Sequence, residues 1–484
     1  MSIELNDGER ELLKKVEVWL KAHKEELVQD IETWVRIPSV SIADENTKGA
    51  PFGKECAKVL DLALKRGKEF GFNTSNHEGY AGSIVYGDYE KSIGLIGHLD
   101  VVPEGDNWIY SPYKPVRKGD FLIGRGVSDN KGASVAALYV ARIFKDLNIP
   151  IEHGIHIIYG CAEETGMADL VYYVQHKQVP LVSLVLDGNF PVCHGQKGGF
   201  NGRLFIPTGK YLHNLKGGTA ENNVPDYAEI FIKDISLPEV LSSLDRVSKS
   251  ISDYVKAEEQ SDGILVYAKG RSGHAANPEG SLNAICILAA ALKESGLFKD
   301  EDQKAVDFLS SFLADYNGVG AGIGFEDEVS GKLTLNGGII RSFKNGLELF
   351  IDIRYPITSN EEDITKALKL KIEPYGVRIL DVRNRKPYFI EKDNAKVKVL
   401  TDTYNSLREE HKEPYVMGGG TYSRVLPEGI TFGPGFPDIK KQGIDFLPDG
   451  HGGAHGPDEA LHIPSLLEAI KIYVLSIVRL DTLI

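Results

Sequence analysis

Five short stretches of the sequence gather residues able to do chemistry. Gly97-His98-Leu99-Asp100-Val101-Val102-Pro103 directly follows an apolar run at 93–96. In an extended segment side chains repeat every two residues, so His98 and Asp100 share a face. A carboxylate placed there can orient the ring of a metal-binding histidine, although a buried His–Asp hydrogen bond has the same pattern. Gly124-Arg125-Gly126-Val127-Ser128-Asp129-Asn130-Lys131-Gly132 is a glycine-rich loop opening a helix, where the backbone can pass close to a ligand. Asp129 is either the cap of that helix or a ligand. Cys161-Ala162-Glu163-Glu164-Thr165-Gly166 sets two adjacent carboxylates after another apolar run, an arrangement that is costly unless they are solvated or paired with cations. Adjacent side chains diverge, so one can bind a metal while the other faces a substrate water. Asp187 ends the run 184–186, and His455 lies in His451-Gly452-Gly453-Ala454-His455-Gly456-Pro457-Asp458-Glu459; neither stands out alone. Taken together they supply two histidines, two aspartates and two glutamates. Imidazole with carboxylate suits zinc, with manganese or cobalt as close competitors. One bridging carboxylate and two further ligands per ion describe a two-metal site, with the ions about 3.5–4 Å apart.

The elements that must carry these residues are strand ends and helix starts. Short apolar runs at 83–86, 93–96, 155–161 and 184–186 predict strands. Helical spacing predicts helices through the N-terminal segment up to Ile37-Pro38, and over 54–70, 129–144, 394–411 and 465–480. Strands alternating with helices imply an α/β catalytic domain, its sheet covered by helices on both faces. In open α/β sheets the ligand crevice lies at the carboxyl ends of the strands. Between these parts the pattern changes. Alternating strands are expected at 202–206, 228–232, 263–268, 332–336 and 347–354, with helices at 238–256, 281–295, 300–317 and 359–372. The simplest architecture is a catalytic α/β domain over 1–191 and 386–484, interrupted by a large α+β insertion at 192–385, which the resemblance described below makes a lid domain.

Bulk composition fits a soluble globular protein. The chain has 484 residues, 42% of them hydrophobic and 26% charged, long enough for two domains. Lys and Arg total 55 against 69 Asp and Glu, a net charge of −14. With no basic cluster, nucleic acid and anionic membrane are poor partners. The four cysteines form no C-x-x-C pair, which points to reduced thiols rather than a disulfide framework. The charged N-terminus lacks a signal-peptide pattern and no run is long enough to span a membrane, so a cytoplasmic protein is expected.

As a set, these motifs resemble the superfamily of carnosinases, aminoacylases, succinyl-diaminopimelate desuccinylases and glutamate carboxypeptidases, and most of all its bacterial PepV-type dipeptidases. The resemblance runs from Ile37-Pro38-Ser39-Val40-Ser41 to His455-Gly456-Pro457-Asp458-Glu459. It implies that His98 and Asp187 bind one metal ion, that Glu164 and His455 bind the other, and that Asp129 bridges them. Asp100 would brace His98, and Glu163 would be the general base toward a metal-activated water. In the lid, the resemblance implies that His274, in Gly270-Arg271-Ser272-Gly273-His274-Ala275-Ala276-Asn277-Pro278, stabilises the oxyanion. Arg354 would clamp the substrate's C-terminal carboxylate. Asn222, Thr421 and Arg424 would help to hold the substrate. The expected activity is that of a dipeptidase acting on small peptides with a free C-terminal carboxylate, with N-acyl-amino-acid hydrolysis as the alternative. A lid of this length matches the PepV type, which completes its own site, so a monomer is expected.

Overall fold

The computed structural model describes residues 4–44, 46–437 and 444–484. Internal contacts divide the chain into two units. The first holds Met1–His194, Ile390–Tyr415 and Gly420–Ile484; the second holds Gly195–Phe389 and Val416–Gly419. The short stretch Val416–Gly419 corrects the sequence expectation, which gave it to the catalytic domain. Its backbone is held from within the second unit, where the Lys197 amide donates to the Met417 carbonyl at 2.9 Å.

In the first unit, strands lie in the order Asn73–His77, Ala81–Tyr86, Gly154–Gly160, Ser92–His98, Val182–Val185, Gly429–Thr431. The last four are mutually parallel, and the first two join antiparallel. The sheet is therefore mixed. Alternation along each strand sends side chains to two faces. Leu95, Ile157 and Leu184 pack with the helices Asp7–Val35, Lys131–Asp146 and Ile463–Asp481. Ile96, Ile158 and Val185 pack instead with Leu170, Tyr173 and Tyr422. Each such buried aliphatic side chain stabilises the fold by about 2 kcal/mol. From Ser92–His98 the chain goes on to one flank, Gly154–Gly160, and then to the other, Val182–Val185. That reversal opens a crevice at the carboxyl end of Ser92–His98.

The second unit is an eight-stranded antiparallel sheet with helices Ala284–Ser295, Asp300–Phe312 and Glu361–Ile372. Its order begins Val255–Gln260, Gly263–Lys269, Tyr227–Ile232 and ends Gly346–Tyr355, Gly198–Pro207, Arg378–Arg385. Here the helix expected over 238–256 is corrected. It splits into Leu237–Leu244 and Lys249–Ser252, and its tail becomes the edge strand Val255–Gln260.

Candidate metal centre

All six residues singled out in the first unit converge at the carboxyl edge of the parallel strands. His98 is the last residue of its strand, and Glu163 and Glu164 follow Gly154–Gly160. Asp187 follows Val182–Val185, and Asp129 lies two residues before the helix Lys131–Asp146, whose cap is Asn130. Asp129 is therefore not the cap, which removes one of its two readings. The Asp129–Asn130 peptide bond is cis.

Asp129 sits between the two histidines. Its Oδ1 lies 3.0 Å from His98 Nε2, and its Oδ2 lies 3.1 Å from His455 Nε2. His455 Nε2 also lies 3.0 Å from Glu164 Oε1. Potential ligand atoms of His98, Glu163 and Asp187 lie within 4.8 Å of one another, and so do those of His98, Asp129 and Glu164. The other nitrogen of His98, Nδ1, faces the Asp100 carbonyl at 3.0 Å and the Asp100 carboxylate at 3.3 Å. The brace expected from the Asp100 side chain thus comes at least as much from its backbone. The carboxylate also accepts from the amides of Glu163, at 3.2 Å, and Glu164, at 3.1 Å.

The electrostatics describe a site short of positive charge. Burial pushes the Glu163 carboxyl well above its ordinary range, and the charge of Asp187 adds to the shift. Asp187 is pushed up to about 7 by burial and by the charge of Asp129. Burial and Asp129 likewise raise Glu164. Burial also works against a charged Asp129, but hydrogen bonds to His455 and His98 hold it well below the usual carboxylate range. His455 is pushed up to about 11 by hydrogen bonds to Asp129 and Glu164. His98 is raised despite full burial, through Asp100 and Asp129. The carboxylates thus raise both imidazoles and one another, a crowding of negative charge that cations would relieve. Glu163 Oε1 is buried and meets no hydrogen-bond donor among the described residues. An orphaned carboxylate oxygen among crowded carboxylates fits a divalent-metal site, because buried charges are kept only when paired or when coordinating metals.

Sequence reasoning missed several supports. Asn130 is buried; its Oδ1 accepts from the His98 amide at 3.3 Å and its Nδ2 donates to the Leu186 carbonyl at 2.7 Å, linking two strand ends. Asp169 accepts from the Cys161 amide at 2.5 Å, the Ala162 amide at 2.7 Å and the Tyr422 hydroxyl, fixing the turn that carries Glu163 and Glu164. A lone Asp in a helix start gives no such signal in the sequence. A cavity of ≈390 Å³ opens beside Asp129 and Asp187, walled by Phe121, Phe436, Leu461 and Leu466.

The remaining candidates are described where they stand. In the second unit, exposed His274 pairs with Asn223 in a two-residue ladder, and its Nδ1 accepts from the Ala276 amide at 3.1 Å. Asn222 is exposed on the adjoining turn, where its carbonyl accepts from the Ala275 amide at 2.9 Å. Arg354, buried, grips Asp352 with Nε at 2.6 Å and Nη2 at 2.7 Å. Thr421 belongs to the first unit and is buried, its hydroxyl 2.8 Å from Thr431 Oγ1 and 3.1 Å from Ser423 Oγ. Arg424 ends the short 3₁₀ turn that follows.

Residues 94–479 match the description "Peptidase family M20/M25/M40". The chain belongs to that family. It is an M20-family peptide hydrolase with a His/Asp/Glu site suited to metal. Among its relatives, the Bacillus subtilis (strain 168) protein named "Putative dipeptidase YtjP" is 32% identical over 476 residues, covering 96% of this chain and 99% of that one. A Staphylococcus epidermidis protein named "Putative dipeptidase" is 28% identical over 479 residues, covering 95% of this chain and 97% of that one. The crystal structure of human carnosine dipeptidase 1 is similar in fold, with a TM-score of 0.57 at 16% identity, covering 97% of this chain and 99% of that one. Dug1p, the di-peptidase from Saccharomyces cerevisiae, gives 0.55 at 14%, covering 97% and 98%. Among the described residues of this M20 chain, no helix is long and apolar enough to cross a membrane.

Proposed function

We propose that this M20-family protein is a two-metal dipeptidase that hydrolyses short peptides with a free C-terminal carboxylate. One observation carries the reading. Asp129 turns one carboxylate oxygen to His98 and the other to His455, the posture of a ligand shared between two ions. His98 with Asp187 would hold one ion and Glu164 with His455 the other, zinc first among the candidates. When bound, such ions supply Lewis acidity, polarising a carbonyl and bringing the pKa of water to about 7.

The chain's own groups supply the rest. Glu163, its Oε1 unengaged, takes the proton from the attacking water and returns it to the leaving nitrogen. Asp100 fixes the backbone of both glutamates, so that Glu163 stays aimed while Glu164 holds a ligand's place. Within the mixed lining of the cavity beside Asp129 and Asp187, the apolar patch of Phe121, Phe436, Leu461 and Leu466 suits a nonpolar substrate side chain. From the second unit we assign His274 to the transition-state oxyanion and Arg354 to the substrate carboxylate. Asp352 orients the guanidinium, whose Nη1 edge would meet that carboxylate. Asn222, Thr421 and Arg424 are assigned to holding the substrate, Thr421 through its backbone because its hydroxyl is engaged with Thr431 and Ser423. The dipeptidase names of the two bacterial relatives, matched over nearly their whole length, support the substrate class.

The test is a panel of Leu-Leu, Ala-Ala, β-Ala-His, a tripeptide and N-acetyl-Leu, offered to protein stripped of metal and refilled with zinc, manganese or cobalt. Metal-dependent cleavage of free dipeptides with N-acetyl-Leu untouched is expected, with Leu-Leu preferred over Ala-Ala. Cleavage of N-acetyl-Leu alone would move the protein to acyl-amino-acid hydrolysis. No cleavage with any metal would refute the proposal.

A further inference from the structure

Glu459 and Arg125 are both fully buried and form an ion pair, Nη1 to Oε2, at 2.8 Å. Both carboxylate oxygens of Glu459 accept from backbone amides around the candidate metal centre. Glu459 Oε1 accepts from the amides of Ser128, at 2.8 Å, and Asp129, at 2.9 Å. Its Oε2 accepts from the Gly126 amide at 3.1 Å, and its carbonyl accepts from the Gly124 amide at 2.9 Å. One glutamate thus clasps the whole loop that ends in Asp129. Arg125 reaches the other way. Its Nη2 donates to the carbonyls of His455, at 3.1 Å, and Glu104, at 3.2 Å, with Pro103 at 3.5 Å. The indole of Trp108 closes over the guanidinium, 5.1 Å from its centre. His455 itself has φ +64°, a left-handed conformation that a histidine holds only when its surroundings fix it. The fork on its carbonyl is such a fixture.

We propose that Glu459 and Arg125 are positioning residues that set the distance between Asp129 and His455, and so the affinity for the ion those two share. The inference rests on the reading of Asp129 and His455 as ligands. The backbones of both loops are held by this one charge pair, whereas the side chains of Asp129 and His455 meet each other at 3.1 Å and otherwise touch, among the described residues, only candidate ligands, His98 and Glu164, at 3.0 Å. Glutamine in place of Glu459 keeps the volume, but its amide group turns a donor toward either the loop amides or the Arg125 fork. One of the two clasps then opens.

Zinc and cobalt binding, read by chelator competition, tests this on the full chain. For Glu459→Gln, at least one of the two ions is expected to bind about 10–100-fold more weakly, the usual consequence of losing a group that orients ligands. The visible spectrum of the cobalt form should also change. Arg125→Lys, which keeps the charge and loses the fork, serves as the second variant if Glu459→Gln does not fold, and should weaken binding in the same way. Asp481→Asn is the control. Asp481 caps the amides of Glu152, at 2.9 Å, and His153, at 2.8 Å, away from the ligands, so its loss should lower stability and leave affinity unchanged. Wild-type affinity and an unchanged cobalt spectrum in folded Glu459→Gln or Arg125→Lys, with only the melting temperature lowered, would overturn the inference while leaving the proposed function standing. A wild-type protein that binds no divalent ion would overturn both.

Discussion

Glu163 shows how much a single side chain here depends on its surroundings. Buried beside Asp187, and with one oxygen meeting no donor among the described residues, its carboxyl is pushed toward the neutral form. Divalent ions would reverse that pressure and return it to the carboxylate a general base requires. Glu163→Gln should therefore lower kcat by about 10²–10⁴-fold, the contribution typical of a positioned base. Metal content should remain two ions per chain by elemental analysis; a fall of only a few-fold would assign the base elsewhere. Arg354 makes a different prediction. Lysine there can pair with Asp352 but cannot present a second edge of a planar fork. Arg354→Lys should raise KM for free dipeptides about tenfold or more, the cost of one lost charged hydrogen bond, and leave dipeptide amides unaffected. Parallel kinetics on the two substrate forms decide it.

At the level of elements, Gly154–Gly160 both delivers the paired glutamates and carries a buried titratable group. His156 is wholly buried, 3.1 Å from the Tyr173 hydroxyl, and burial, aided by the charge of His77, pushes its pKa down to about 4. A depressed histidine stays neutral when folded but takes up a proton when unfolded below pH 6.5. Its penalty is absent above pH 6.5 and grows as pH falls toward 4, to on the order of 3 kcal/mol. Urea unfolding at pH 7, 6 and 5, with chelator present throughout, should show stability falling with pH, and His156→Gln should flatten part of the fall. Equal slopes in both proteins would remove His156 as a cause. Two of the strands that sequence missed lie at sheet edges. Asn73–His77 and Val255–Gln260 have one neighbouring strand each and no fully buried residue, so they carry no apolar alternation to read.

For the molecule as a whole, metal binding and stability should be linked, because ions that bind only the folded state stabilise it. At a free ion concentration a thousand times Kd, each site adds about 4 kcal/mol. Scanning calorimetry should therefore show a melting temperature lower in chelator than in excess zinc. A melting profile indifferent to zinc would argue against a folded-state metal site. Sedimentation should give the mass of one chain, as expected for a lid long enough to serve its own catalytic domain; a stable dimer would overturn that expectation.

The sequence by itself determined the candidate ligand types and their stations. His98, Glu163, Glu164 and Asp187 follow apolar runs long enough to be read as strands, and parallel strands bring their carboxyl ends to one edge. The tertiary structure alone decided what those stations do to one another. That Asp129 splits its two oxygens between His98 and His455 depends on loops far apart in the chain. That Glu459 and Arg125 clasp both loops is invisible in the sequence, since Arg125 lies in the glycine-rich loop and Glu459 334 residues later, with no spacing that marks them as partners. Local periodicity fixes which face and which end a residue occupies; only packing of distant segments fixes the two or three ångströms between charges on which metal chemistry rests.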